Sequence, residues 1–189
     1  MTVSKIVEVT LKLAIVALTL TIHCGAAYRV SSSFTMSNAQ LADGFGERGL
    51  TFLEDRTRNK EIKFARDAFS LSIDGHEIRS DVLGDPARKA DATSVRYSFD
   101  ARPYRIEVIY RLGPRWRFVS KQLIVTPISG SREFHVDRIE VIDTRLLGAA
   151  GSEYVATSRW VKPGTPGRDY GVFMRFPDRS GLFALVQNP

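Results

Sequence analysis

The chain has 189 residues, 43% of them hydrophobic, which is enough for a packed core and sets disorder aside as the default. Its formal charge is +6, but the basic residues Arg96, Arg102, Arg105, Arg111, Arg115 and Arg117 are interleaved with Asp and Glu. With no dense Lys/Arg block, nucleic acid is not an expected partner, and a solvated strand face is the simpler reading.

At the amino end, Lys5 and Lys12 precede the apolar run 13–22 and then the small residues Cys24-Gly25-Ala26-Ala27, the layout of a secretory signal peptide. The apolar run is well short of the roughly 20 residues a spanning helix needs, so cleavage near Ala27 is expected. This predicts a signal peptide over 1–27, a domain over 28–189, and a secreted or periplasmic location. Membrane contact would then come only through an uncleaved signal segment. Losing Lys5, Lys12 and Glu8 takes two positive charges and one negative from the +6, leaving +5. His23, where a lipidation signal wants a small residue, argues against a lipid on Cys24. With that single cysteine at the signal, the mature chain makes no internal disulfide.

Beyond residue 30 the apolar period is two, the spacing that puts side chains on one face of a strand. Phe69, Leu71 and Ile73 alternate with Ser70, Ser72 and Asp74, Asp74-Gly75 supplies a turn, and His76-Glu77-Ile78-Arg79 returns as a partner. Val95, Tyr97 and Phe99 form one inward set. Tyr104, Ile106, Val108, Tyr110 and Leu112 form another, after a turn over 100–103. Residues 116–126 read as a third strand, central to two layers, with Trp116 in the core. Three successive antiparallel strands are the simplest outcome.

Phe134 and Val136 fall on even positions but Ile139 and Val141 on odd ones, so a bulge is expected near Asp137-Arg138. Strands over 170–176 and 182–187 flank the turn-rich spacer Pro177-Asp178-Arg179-Ser180-Gly181. The second ends two residues before Pro189, as a chain cut from a longer protein also would. Residues 60–68 are given one helical turn, while 81–92, 146–151 and 162–168 are connections. Many short strands with turn signals between them predict an all-β fold, an antiparallel β-sandwich.

Motifs that carry chemistry are sparse in the sequence. His76 and His135 read as surface residues without a metal-ligand spacing, so no metal and no cofactor is expected. There is no Gly-x-Ser-x-Gly elbow and no phosphate loop, and Gly44-Phe45-Gly46 reads as a tight turn. Acid pairs such as Glu133/Asp137 or Glu140/Asp143 read as solvated rather than catalytic. Aromatic rings suit the C–H faces of sugars, and Trp160 is the first candidate, with Arg159 and Lys162 available to sugar hydroxyls and His135 beside them as a further polar group.

Four segments together carry a resemblance: Phe34-Thr35-Met36-Ser37-Asn38, Gly49-Leu50-Thr51-Phe52-Leu53-Glu54-Asp55-Arg56-Thr57, Trp116-Arg117-Phe118-Val119-Ser120-Lys121-Gln122-Leu123, and Gly181-Leu182-Phe183-Ala184-Leu185-Val186-Gln187-Asn188-Pro189. Over most of 33–189 the chain resembles the amino-terminal β-supersandwich of α-galactosidase-type glycoside hydrolases, a domain of the galactose-mutarotase-like fold. In that family the catalytic aspartates belong to a following (β/α)8 barrel of about 250 residues, which this chain is too short to hold, so no catalytic residue carries over.

The resemblance implies a carbohydrate-associated, non-catalytic module, stand-alone or truncated, with carbohydrate or a catalytic barrel as its partner. Two other functions stay open: a cell-envelope domain that docks a partner protein by a sheet edge or basic face, and an aldose epimerase. The latter needs a histidine and a glutamate converging on the sugar, and His76 and His135 lack the family's motif context.

Overall fold

The computed structural model describes residues 34–128, 133–148, 151–156 and 169–187. The expected signal segment and the candidates Arg159, Trp160 and Lys162 lie outside them, as does the connection over 162–168. Every described element is a strand, every pairing is antiparallel, and no helix occurs among the described residues.

The strands divide into two compact units, one reaching Leu147 and one starting at Gly148. In the first, one sheet is built from β1 (Phe34–Ser37), β2 (Leu41–Phe45), β3 (Leu50–Asp55), β4 (Lys60–Ile73) and β5 (His76–Arg79). The second sheet is β6 (Ala87–Ala90), β7 (Ser94–Ala101), β8 (Tyr104–Arg111) and β9 (Ser120–Pro127), in that order. β10 (Val136–Leu146) returns to the first sheet and pairs with β4.

The two sheets face each other across one core. Inward residues Val95, Tyr97 and Phe99 of β7 and Ile106, Val108 and Tyr110 of β8 are buried, as the alternation predicts. They meet the first sheet through Phe99 on Phe69, ring centroids 5.4 Å apart, and Tyr110 on Phe45, 5.1 Å apart. Tyr97 donates its hydroxyl to the Gly46 carbonyl at 2.7 Å, so even this buried phenol is satisfied.

Several local readings hold. The β4–β5 turn uses Asp74 and Gly75 at φ 50° and 79°, the left-handed pair that a two-residue hairpin requires. The register of β10 on β4 slips between Val136 and Arg138, where the bulge is expected, and twice more further along. In the second unit, β11 (Glu153–Ala156), β12 (Asp169–Arg175) and β13 (Gly181–Gln187) form a three-stranded sheet, and β12 and β13 are joined by a turn over 176–180, one residue earlier than the expected 177–181 spacer.

Four readings need correction. Residues 60–68 are no helical turn but the first part of β4, a 14-residue strand held by β3 and then β5 on one edge and by β10 on the other. The supposed loop 81–92 contains β6, a wholly exposed edge strand whose pairing with β7 has no apolar alternation behind it. Gly44 and Phe45 belong to β2, with Phe45 fully buried, and the turn begins only at Gly46, whose N–H bonds the Gly49 carbonyl at 2.9 Å. Finally, the third strand starts at Ser120 rather than Trp116 and forms an edge of its sheet, because Gly113 and Pro114 break the ladder after β8.

Candidate functional site

Residues 113–119 leave β8 as a short surface loop. Trp116, read from the sequence as core, is 38% exposed there, and Phe118 is 56% exposed. The two rings stack with centroids 4.7 Å apart and planes 14° apart. Gly113 lies over the indole: a Cβ on it would stand 2.7 to 2.8 Å from three ring atoms at once. The indole is therefore packed between Gly113 and Phe118, and the open ring face of the stack belongs to Phe118.

Asn38 holds this loop from the opposite sheet. Its side-chain amide donates to the carbonyls of Gly113 at 2.8 Å and Trp116 at 2.9 Å. Its Oδ1 accepts from the backbone N–H groups of Gln40 and Leu41, and its own carbonyl accepts Arg56 Nη1 at 2.7 Å. One residue thus closes the β1–β2 turn and fixes an exposed aromatic platform, which saves the entropy of ordering it on binding. Arg115 and Arg117 flank Trp116, are exposed, and make no hydrogen bond or ion pair among the described residues.

A mutation tests this packing. Gly113→Ala should push the indole off its seat and undo the stack while the buried sheets stay intact. In a Trp160→Phe background, tryptophan emission should shift to the red with the unfolding midpoint little changed. Unaltered emission would show that Gly113 does not seat the ring.

A second feature is a cleft of about 520 Å³ where β3 and β5 diverge along β4, lined by Arg48, Arg66, Asp81, Thr51, Phe64 and Phe99 among others. Its cations are already engaged. Arg48 reaches Asp85 at 2.7 Å and the Ser80 and Leu83 carbonyls, and Arg66 reaches Asp143 at 2.5 Å and Asp81 at 3.7 Å. They brace the walls rather than offer donors to a ligand. In the wall of the cleft, Asp67 accepts Leu50 N–H, the Tyr110 hydroxyl and the Lys121 ammonium.

His135 is exposed and sits 3.8 Å from Asp137. That carboxylate already accepts Gly75 N–H at 2.7 Å and the Ser72 hydroxyl at 3.0 Å, which hold its pKa below the ordinary aspartate value. Phe134 packs on Tyr104 at the start of β8, whereas the aromatic loop follows the end of β8. Eight strand residues separate them, roughly 25 Å at 3.3 Å each, so His135 does not join the platform.

Of the acid pairs, Glu140 is buried against Ser70 and Arg138, and Asp143 is taken by Arg66. Among the described residues, no cluster of three or more His, Cys, Asp or Glu could hold a metal.

No family model, curated protein or solved structure matches the chain. The site rests on its own residues. The sequence carried one usable signal for it, in that Trp116 and Phe118 follow Gly113-Pro114, a pair that ends strands.

Proposed function

We propose that this is a non-catalytic carbohydrate-binding module of an exported protein, an antiparallel β-sandwich of the supersandwich type, whose binding surface is the Trp116–Phe118 platform. The observation that carries this reading is the rigid, solvent-facing phenyl ring, backed by a stacked indole and held by Asn38. A flat aromatic face suits the C–H face of a pyranose, and the adjacent guanidiniums suit ring hydroxyls. The resemblance to the accessory domain of α-galactosidase-type hydrolases supports the same ligand class, as an analogy of fold.

Thermal unfolding of the chain against galactosides, glucosides and polysaccharides tests it, because a ligand bound only by the folded state raises the midpoint. We expect a concentration-dependent rise that Phe118→Ala removes, since losing one stacked ring costs about 1–3 kcal/mol. If the rise survived Phe118→Ala and vanished in Trp160→Ala, the site would lie around Arg159, Trp160 and Lys162 instead. No shift with any sugar at millimolar levels would sink the reading and leave a docking domain.

A further inference from the structure

We infer that the ligand of this platform is an acidic polysaccharide, with Phe118 under a sugar ring and Arg115 and Arg117 on the carboxylates of the chain. The inference rests on the carbohydrate reading above and adds a charge requirement to it.

Arg48, Arg58, Arg66, Arg79, Arg96, Arg102 and Arg138 each have an acidic partner within 4 Å. Arg115 and Arg117 have none among the described residues, yet they bracket the exposed stack. Arg56, bonded to the Asn38 carbonyl, puts a third guanidinium at the foot of the same loop. Unpaired guanidiniums are planar forks that match carboxylates two charge-assisted bonds at a time, a stronger match than the single bonds a neutral glycan's hydroxyls accept. A chain of net charge +6 adds a general attraction for a polyanion.

An anionic membrane shares the charge but not the shape. The indole is covered on both faces and the loop is fixed from behind, so it offers a flat ring rather than an apolar tip able to enter acyl chains. Single-stranded nucleic acid would stack as well, but it uses a charged groove that tracks several phosphates. Here only Arg115 and Arg117 bracket the stack, while the other cations without a partner among the described residues of the first unit, Lys89, Arg105 and Arg145, stand on three separate strands and not in line with it.

Titration calorimetry of the full chain with polygalacturonate, and with the same polymer fully methyl-esterified, tests the inference. Expected is at least tenfold tighter binding of the acid form at low salt. For two charge contacts, that affinity should fall roughly tenfold between about 50 and 200 mM salt. The double variant Arg115→Gln/Arg117→Gln should bring the two polymers to equal affinity, and Phe118→Ala should lose both.

Equal affinity of the unaltered protein for acid and ester overturns the charge inference and leaves the carbohydrate reading standing. Acid binding that survives Phe118→Ala overturns it too, as attraction for any polyanion. So does equally tight binding of phosphatidylserine vesicles or single-stranded DNA. Binding of neither polymer, nor of the sugars above, sinks the carbohydrate reading along with it.

Discussion

Replacing Lys121 by Met is expected to lower the unfolding free energy by about 3–5 kcal/mol, a large part of what a domain of this size has. Lys121 reaches from β9 across the core to Asp67 at 2.5 Å and to the Ala68 carbonyl at 3.0 Å, with side-chain exposures of 9% for the lysine and 3% for the aspartate. Asp67 stands on β4 between the stretches paired to β3 and β5. There its carboxylate takes over part of the pairing, accepting Leu50 N–H at 3.0 Å as well as the Tyr110 hydroxyl at 2.5 Å.

Burial first, and then the Asp67 charge, hold the Tyr110 hydroxyl protonated by raising its pKa well above the ordinary tyrosine value. Methionine fills the lysine stem but leaves Asp67 as an uncompensated buried anion. Adding Asp67→Asn should restore part of the loss, because the charge is gone while an acceptor for Leu50 and Tyr110 remains. Urea unfolding of the two single variants and the double variant measures this. A Lys121→Met protein within 1 kcal/mol of the parent would mean that the ion pair is not the tie between sheets.

Much of the fold was legible because its cause is local. The alternation of Val95, Tyr97 and Phe99 decides a face by itself, and Asp74-Gly75 decides a turn by itself. The illegible parts depend on distant residues. The first half of β4 carries Lys60, Glu61, Lys63 and Arg66, which resembles a polar turn until β3 and β10 are present to pair with it.

The same holds for the candidate site. Trp-Arg-Phe-Val-Ser has strand alternation, but Asn38, 75 residues before Gly113, ties the segment down as a loop and turns both rings to the surface. No periodicity contains that contact. Nor does alternation flag Asp43, which sits at an inward position between Leu41 and Phe45 where an apolar residue belongs.

Asp43 supplies the other large effect, as a pH dependence. It is fully buried on β2, paired in register with Met36 and Leu53, and neither carboxylate oxygen has a hydrogen-bond partner. Burial alone raises its pKa from 3.8 to about 7. In the unfolded chain the group ionises near 3.8, so between about pH 4 and 7 the folded state holds a proton that the unfolded state has released. Raising the pH through that window therefore favours unfolding. The stability present below pH 4 is lost progressively up to about pH 7, in all about 4 kcal/mol for a shift of roughly three units.

Asp55, Asp81, Asp91 and Asp137 are held below the usual value by hydrogen bonds and act in the opposite sense, losing stability only as pH falls through the acid range. The difference between parent and Asp43→Asn isolates the buried group. The two proteins should unfold at similar urea concentrations near pH 4, and the variant should be the more stable by several kcal/mol at pH 8. Parallel stability curves from pH 4 to 8 would show that Asp43 finds water or a partner, and that its carboxylate is ionised within the fold.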